Sequence, residues 1–238
     1  MGIGKEISKV ILKLIDEYTY SSYFPKLINR NSTKMNKNNY KVPTDYSYIF
    51  VHIPKTGGMT LNSIVDTINS NIQINKIYKG GHNPISLLHS MDDKKYFTVF
   101  RNPIDRAYSY YKMSLRGKKQ PYNYLAEKSL YHFAAYCPDV QNIFCKYFSG
   151  EIDKDINSDI YNIAEKNIKK FYYVINFSDL ENDAKEFFNK IGHKNTSIPH
   201  INSSPKVEMS EDDRKILEFY NTYDLKLYNY LIENNFFK

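Results

Sequence analysis

Two short apolar runs restrict this chain more than any other feature. Ile49-Phe50-Val51 is uninterrupted, and Phe97, Val99 and Phe100 fill most of Tyr96–Phe100. Side chains on a strand alternate between two faces, so a run that is apolar at every step is covered on both sides. That is the pattern of a parallel strand inside an α/β sheet. Each run is followed at once by turn residues and then by apolar positions at helical spacing. Met59, Leu61, Ile64, Val65 and Ile68 follow the first; Ile104, Ala107, Tyr108, Tyr111 and Leu115 follow the second. Strand, loop, helix, repeated, predicts an α/β fold with a parallel sheet.

The remaining elements fit that scheme. Strands are expected over Tyr46–His52, Ile72–Tyr78, Tyr96–Phe100 and Tyr172–Phe177. Helices are expected over Pro103–Leu115, around Ile156–Ile168 and over Leu180–Ile191, with a last helix opening at a Ser210/Asp213 capping box. Residues 1–45 stand apart. Ile3, Ile7, Val10, Ile11, Leu14, Ile15 and Tyr18 form a helical stripe, and 29–44 reads as a polar linker. The stripe over 3–18 suits packing on the body, a partner, or association with a membrane surface. The main domain is expected over 46–238.

Composition narrows the function classes. The 238 residues carry a formal charge of +7, yet the Lys and Arg residues are spread rather than clustered and Arg is scarce, which argues against nucleic acid. Two cysteines, Cys137 and Cys145, make no disulfide framework. No apolar stretch approaches the roughly 20 residues that span a bilayer, and the N-terminus lacks the apolar core of a signal peptide. A cytoplasmic protein is expected.

The loop His52-Ile53-Pro54-Lys55-Thr56-Gly57-Gly58 is the first candidate for chemistry. It lies at the carboxyl end of a strand, where open α/β sheets bind ligands. Its glycines admit close backbone approach and positive φ. The helix that follows offers unpaired N–H groups to an anion, and Lys55 adds a full charge. A Walker A loop needs Gly-Lys-Ser/Thr in that order; here Lys55 precedes the glycines, which disfavours a triphosphatase. The second candidate is Arg101 with Ser109. Asn102 is placed to cap a helix and Pro103 to begin it. Arg101 therefore falls on the same sheet edge as the loop, with Ser109 roughly 9 Å along the helix axis from Pro103.

Together IFVHIPKTGGMTL and YFTVFRNPIDRAYSYY resemble the sulfotransferase superfamily, in particular the branch of heparan sulfate 2-O- and 6-O-sulfotransferases and their bacterial relatives. The resemblance implies a P-loop-like three-layer sandwich with a parallel sheet of four or five strands. It implies 3′-phosphoadenosine-5′-phosphosulfate as donor, with Lys55, Thr56, Gly57, Gly58, Met59 and Thr60 at its 5′ end and Arg101 and Ser109 at its 3′-phosphate. The segment His200-Ile201-Asn202-Ser203-Ser204 looks like the family's nucleotide-covering loop, which implies Ser203 as a contact to the cofactor and Lys206 as a further ligand of the 3′-phosphate. Animal members carry an N-terminal anchor and work in the Golgi lumen; no segment here reads as one, so neither compartment nor acceptor follows.

In-line sulfuryl transfer needs a base for the acceptor hydroxyl and a charge at the leaving oxygen. Lys55 suits the second role. No metal is expected. Among His52, His82, His89, His132, His193 and His200, His82 follows Gly80-Gly81 as in the family's base segment, with His52 as its rival. A hydroxyl acceptor, implied to be a carbohydrate and suited to carry negative charge, would face 112–150, where Lys112, Arg116, Lys118 and Lys119 lie. A P-loop-type kinase and a nucleotide-binding protein without catalysis are the alternatives.

Overall fold

The computed structural model describes residues 42–71, 75–88, 94–117, 122–194, 198 and 208–237. The helix expected over 3–18, most of the linker, His89, His200, Lys118, Lys119, Ser203 and Lys206 lie outside them.

Among the described residues four strands form one sheet: β1 Tyr46–Val51, β2 Lys76–Lys79, β3 Lys95–Phe100 and β4 Tyr173–Asn176. Their order is β2-β1-β3-β4 and every pairing is parallel. Helix α1 (Gly58–Asn71) joins β1 to β2, and α2 (Pro103–Leu115) opens a long helical excursion between β3 and β4. That excursion holds α3 (Asn123–Ala126), α4 (Leu130–Tyr136), α5 (Ile143–Ser149) and α6 (Ser158–Ile168). After β4 come α7 (Leu180–Lys190), α8 (Glu211–Tyr220) and α9 (Thr222–Glu233).

The expected α/β class and parallel sheet are what the chain forms, and the apolar runs show why. Ile49 and Val51 face a core with Phe100, Val174 and residues of α5, α6 and α9. Tyr48 and Phe50 face the opposite core with Phe97, Val99, Ile175 and residues of α1 and α7. A third cluster, centred on Phe133, Ala107 and Leu217, holds α2, α3, α4 and α8 together.

Three expectations need correction. The second strand is Lys76–Lys79, not Ile72–Tyr78: α1 continues to Asn71, and Asn75 turns with φ +60° before pairing starts. Pairing then reaches Lys79 opposite Phe50, and the Gly80 N–H donates to the Phe50 carbonyl at 2.9 Å. The buried face of α2 is Ile104, Arg106, Ala107, Tyr110 and Ser114, with Leu115 exposed. The single last helix is two. Ser210 caps α8 by accepting from the Asp213 N–H, and the helix stops at Asn221.

Asn221 begins a reciprocal cap. The Asp224 carboxylate accepts from the Phe144 and Cys145 N–H groups at the start of α5 (2.9 and 2.8 Å). Asn142 in turn accepts from the Tyr223 and Asp224 N–H groups at the start of α9 (3.0 and 3.1 Å). Each helix thereby satisfies orphan donors of the other. The outer edge of β2 is closed in a similar way: the Asn69 amide both donates to and accepts from the Ile77 backbone (2.7 and 3.0 Å). An edge residue satisfied like this offers no template to another strand.

Chain direction fixes the site. From β1 the chain moves to one side, to β2; from β3 it moves to the other, to β4. The strand order reverses between β1 and β3, so their carboxyl ends flank a crevice of the kind in which α/β sheets hold ligands. The loops that leave there are 52–57 and 101–102.

Candidate anion site at the switch point

The β1–α1 loop is held open by its carbonyls. The Thr56 hydroxyl donates to Ile53 O (2.8 Å), Arg106 Nε to Pro54 O (3.1 Å), Arg101 Nη1 to Lys55 O (3.1 Å) and the Thr60 N–H to Gly57 O (3.1 Å). With the carbonyls engaged, the groups left for a ligand are amides, among them the Gly58 and Met59 N–H groups, which precede the first hydrogen bond of α1. Lys55 sits at φ +71° and Gly57 at φ +80°. A lysine in the left-handed region is uncommon and strained, as positions at ligand sites often are.

Both glycines are required by space as well. A side chain at Gly57 would press on Leu180 and on the Phe177 ring, at 3.0 and 3.1 Å. At Gly58 it would enter the His52 imidazole, 2.0 Å from Nε2. His52 is wedged there: it is 6% exposed, stacks on Phe50 at 5.5 Å between centroids, and faces the Asn62 amide at 3.4 Å through Nδ1. Burial first, and His82 second, lower its pKa to about 4, so it is neutral at pH 7. Gly58→Ala is therefore expected to destabilise the fold by about 3 kcal/mol through overpacking. His52→Ala in the same chain should recover much of that, a coupling of roughly 1–3 kcal/mol in a denaturant-melt cycle. Additive effects would mean that the ring and the glycine do not compete for one space.

The electrostatics favour an anion. The Lys55 ammonium is held below the ordinary lysine value by burial, then by repulsion from Arg116, Arg101 and Arg106. Of the chain's few arginines, three thus gather round one lysine. Arg101 is likewise lowered, mainly by burial, with Asp105 opposing. Its Nε is buried without a hydrogen-bond partner among the described residues, and its guanidinium lies 4.4 Å over the Phe177 ring. A bound anion would relieve this repulsion and take up the orphan donor.

The predicted site residues divide into groups. Lys55, Gly57, Gly58 and Arg101 meet around the loop. Thr56 and Thr60 are buried, and the Thr56 hydroxyl is already donated, so Thr56 has its backbone to offer. Met59 is 57% exposed. Ser109 is half-buried on α2, on the helix that Arg101 precedes. His82 is exposed, its ring 4.4 Å from that of His52, and its Nδ1 lies 3.3 Å from the His52 carbonyl. A carbonyl only accepts, so Nδ1 carries the hydrogen and Nε2 is left to take a proton. Tyr147 donates to the His82 carbonyl at 3.0 Å and holds the turn.

Sequence reasoning passed over Arg106 and Phe177. Arg106 is 1% exposed and bridges the Pro54 and Asp139 carbonyls. Its position on the apolar face of α2, beside Ile104 and Ala107, was the available signal. No protein-family model matches the chain, and no curated protein is significantly similar to it.

Proposed function

We propose that the chain binds 3′-phosphoadenosine-5′-phosphosulfate and transfers its sulfuryl group to a hydroxyl, with a carbohydrate as the acceptor class. The observation that carries this reading is the bond from Arg101 Nη1 to Lys55 O, which ties the glycine loop to Arg101, the proposed ligand of a second anion, across the switch point. A nucleotide with one anion at each end of a ribose fits two linked sites better than a lone phosphate does.

In this reading the loop amides and Lys55 hold the donor's 5′ end, and the Lys55 ammonium stabilises charge on the leaving oxygen. Arg101, with Ser109 on the adjoining helix, holds the 3′-phosphate. His82 Nε2 accepts the acceptor proton. His52 keeps the loop in shape instead, because its ring is buried against Gly58. Among the described residues no helix is long and apolar enough to cross a membrane. Cys137 and Cys145 are buried free thiols, in keeping with a cytoplasmic setting.

Adenosine 3′,5′-bisphosphate should raise the melting temperature, by about 2.7 kcal/mol of added stability at a hundred times Kd. Arg101→Ala should weaken that binding by roughly 1.5–3 kcal/mol, the worth of a charged hydrogen bond. No shift at millimolar nucleotide would end the proposal, and a shift seen only with ATP and magnesium would turn it towards a kinase.

A further inference from the structure

Resting on the nucleotide reading above, we infer that Phe177 is a positioning residue: it sets the spacing between the glycine loop and Arg101, and so selects a nucleotide with two anions over one with a single 5′ anion. The ring makes both contacts itself. Its edge lies 3.1 and 3.3 Å from the point where a Gly57 side chain would begin, and its face lies 4.4 Å beneath the Arg101 guanidinium. Arg101 closes the circuit through its bond to Lys55 O, two residues before Gly57.

The ring's own place is fixed from below. Phe177 directly follows β4 and opens a short 3-10 turn, Phe177–Asp179. Asn176 accepts from the Ser178 N–H at 2.9 Å. The Asp183 carboxylate, buried in the first turn of α7, accepts from the Asn176 N–H and the Tyr173 hydroxyl, both at 2.6 Å. Strand end, turn and helix start are thus tied, and the aromatic ring projects from the tie to the two anion-binding elements.

A planar ring serves here because it does two things at once. It packs its edge against a residue without a side chain, and it attracts a cation over its face. An aliphatic side chain supplies the first and not the second. The two anions of a ribose 3′,5′-bisphosphate are carried on one sugar and keep within a limited range of separations, so Arg101 contributes only when it stands within that range of the loop. A single 5′-phosphate draws on the loop alone and is indifferent to where Arg101 stands.

The test measures binding of adenosine 3′,5′-bisphosphate and adenosine 5′-monophosphate by calorimetry to the whole chain and to Phe177→Leu and Phe177→Tyr. Phe177→Leu should bind the bisphosphate roughly tenfold more weakly, the worth of a cation–π contact. Its affinity for the monophosphate should stay within about twofold, and Phe177→Tyr should behave as the parent. Should Phe177→Leu not fold, Phe177→Met, flexible and without a π face, asks the same question. Equal loss for both nucleotides, or loss for neither, overturns the inference and leaves the nucleotide reading intact. A parent chain that does not prefer the bisphosphate overturns that reading and the inference with it.

Discussion

His82→Ala is expected to slow transfer by roughly 10²–10⁴-fold, the usual contribution of a positioned general base, while affinity for adenosine 3′,5′-bisphosphate changes by less than about twofold. The split follows from where the side chain stands. His82 is exposed beside the crevice, and its contacts are with the His52 carbonyl and ring rather than with the loop amides, Lys55 or Arg101. Removing it leaves the loop amides, Lys55 and Arg101, the proposed anion ligands, untouched. It removes the one imidazole of the pair whose Nε2 is left to take a proton, since His52 is buried against Gly58. The measurement uses radiolabelled donor with whichever glycan, phenol or lipid acceptor the parent chain sulfates. A His82→Ala enzyme with parental turnover would remove His82 as base. His82→Asn tests the orientation separately: its Nδ2 amide stands where Nδ1 does and can keep the bond to the His52 carbonyl but takes no proton, so it should be as slow as alanine.

The parts legible in the sequence were those with a local cause. The apolar runs at Ile49–Val51 and Phe97–Phe100 required two covered faces, and the sheet has them. Asn102 and Pro103 marked the start of α2 to the residue, because capping is settled within three positions: Asn102 accepts from the Ile104 and Asp105 N–H groups. The loop glycines were visible for the same reason. What was not legible depended on distant partners. Helix α5 is buried all round, including Lys146, so it shows no stripe, and at seven residues it is too short for a period to emerge. Its cap comes from Asp224, 80 positions away. The break at Asn221 depends on that same exchange between α5 and α9. Strand β2 was misplaced by several residues because Ile72 and Ile74 resemble a strand, while the register is set by Phe50 opposite Lys79. Phe177 read as the last residue of a strand; its two contacts join segments more than 70 residues apart in the chain.

Arg106 shows most sharply how a site can rest on a residue that the apolar periodicity passes over and the fold buries. Arg106→Leu is expected to destabilise the fold by about 3–5 kcal/mol, the range for removing one partner from a buried charged set. The guanidinium is fully buried and its Nε and Nη2 bridge Pro54 O and Asp139 O. Asp139 and Asp224 supply the opposing charge, and the Tyr110 hydroxyl donates to the Asp139 carboxylate at 2.9 Å. Leucine fills much of the volume but strands two carbonyls and leaves two carboxylates without their buried cation. Against a total stability of about 5–15 kcal/mol this is a large share, and for a chain of this size it corresponds to a melting temperature lower by roughly 6–20 °C. Arg106→Lys should recover only part of the loss, since one ammonium does not span two carbonyls as the planar fork does. A change below about 1 kcal/mol would show that the Pro54 and Asp139 carbonyls find other donors. The same variant should weaken anion binding beyond its effect on stability. Pro54 immediately precedes the strained Lys55, and the loop holds its shape only while the carbonyl of Pro54 stays engaged.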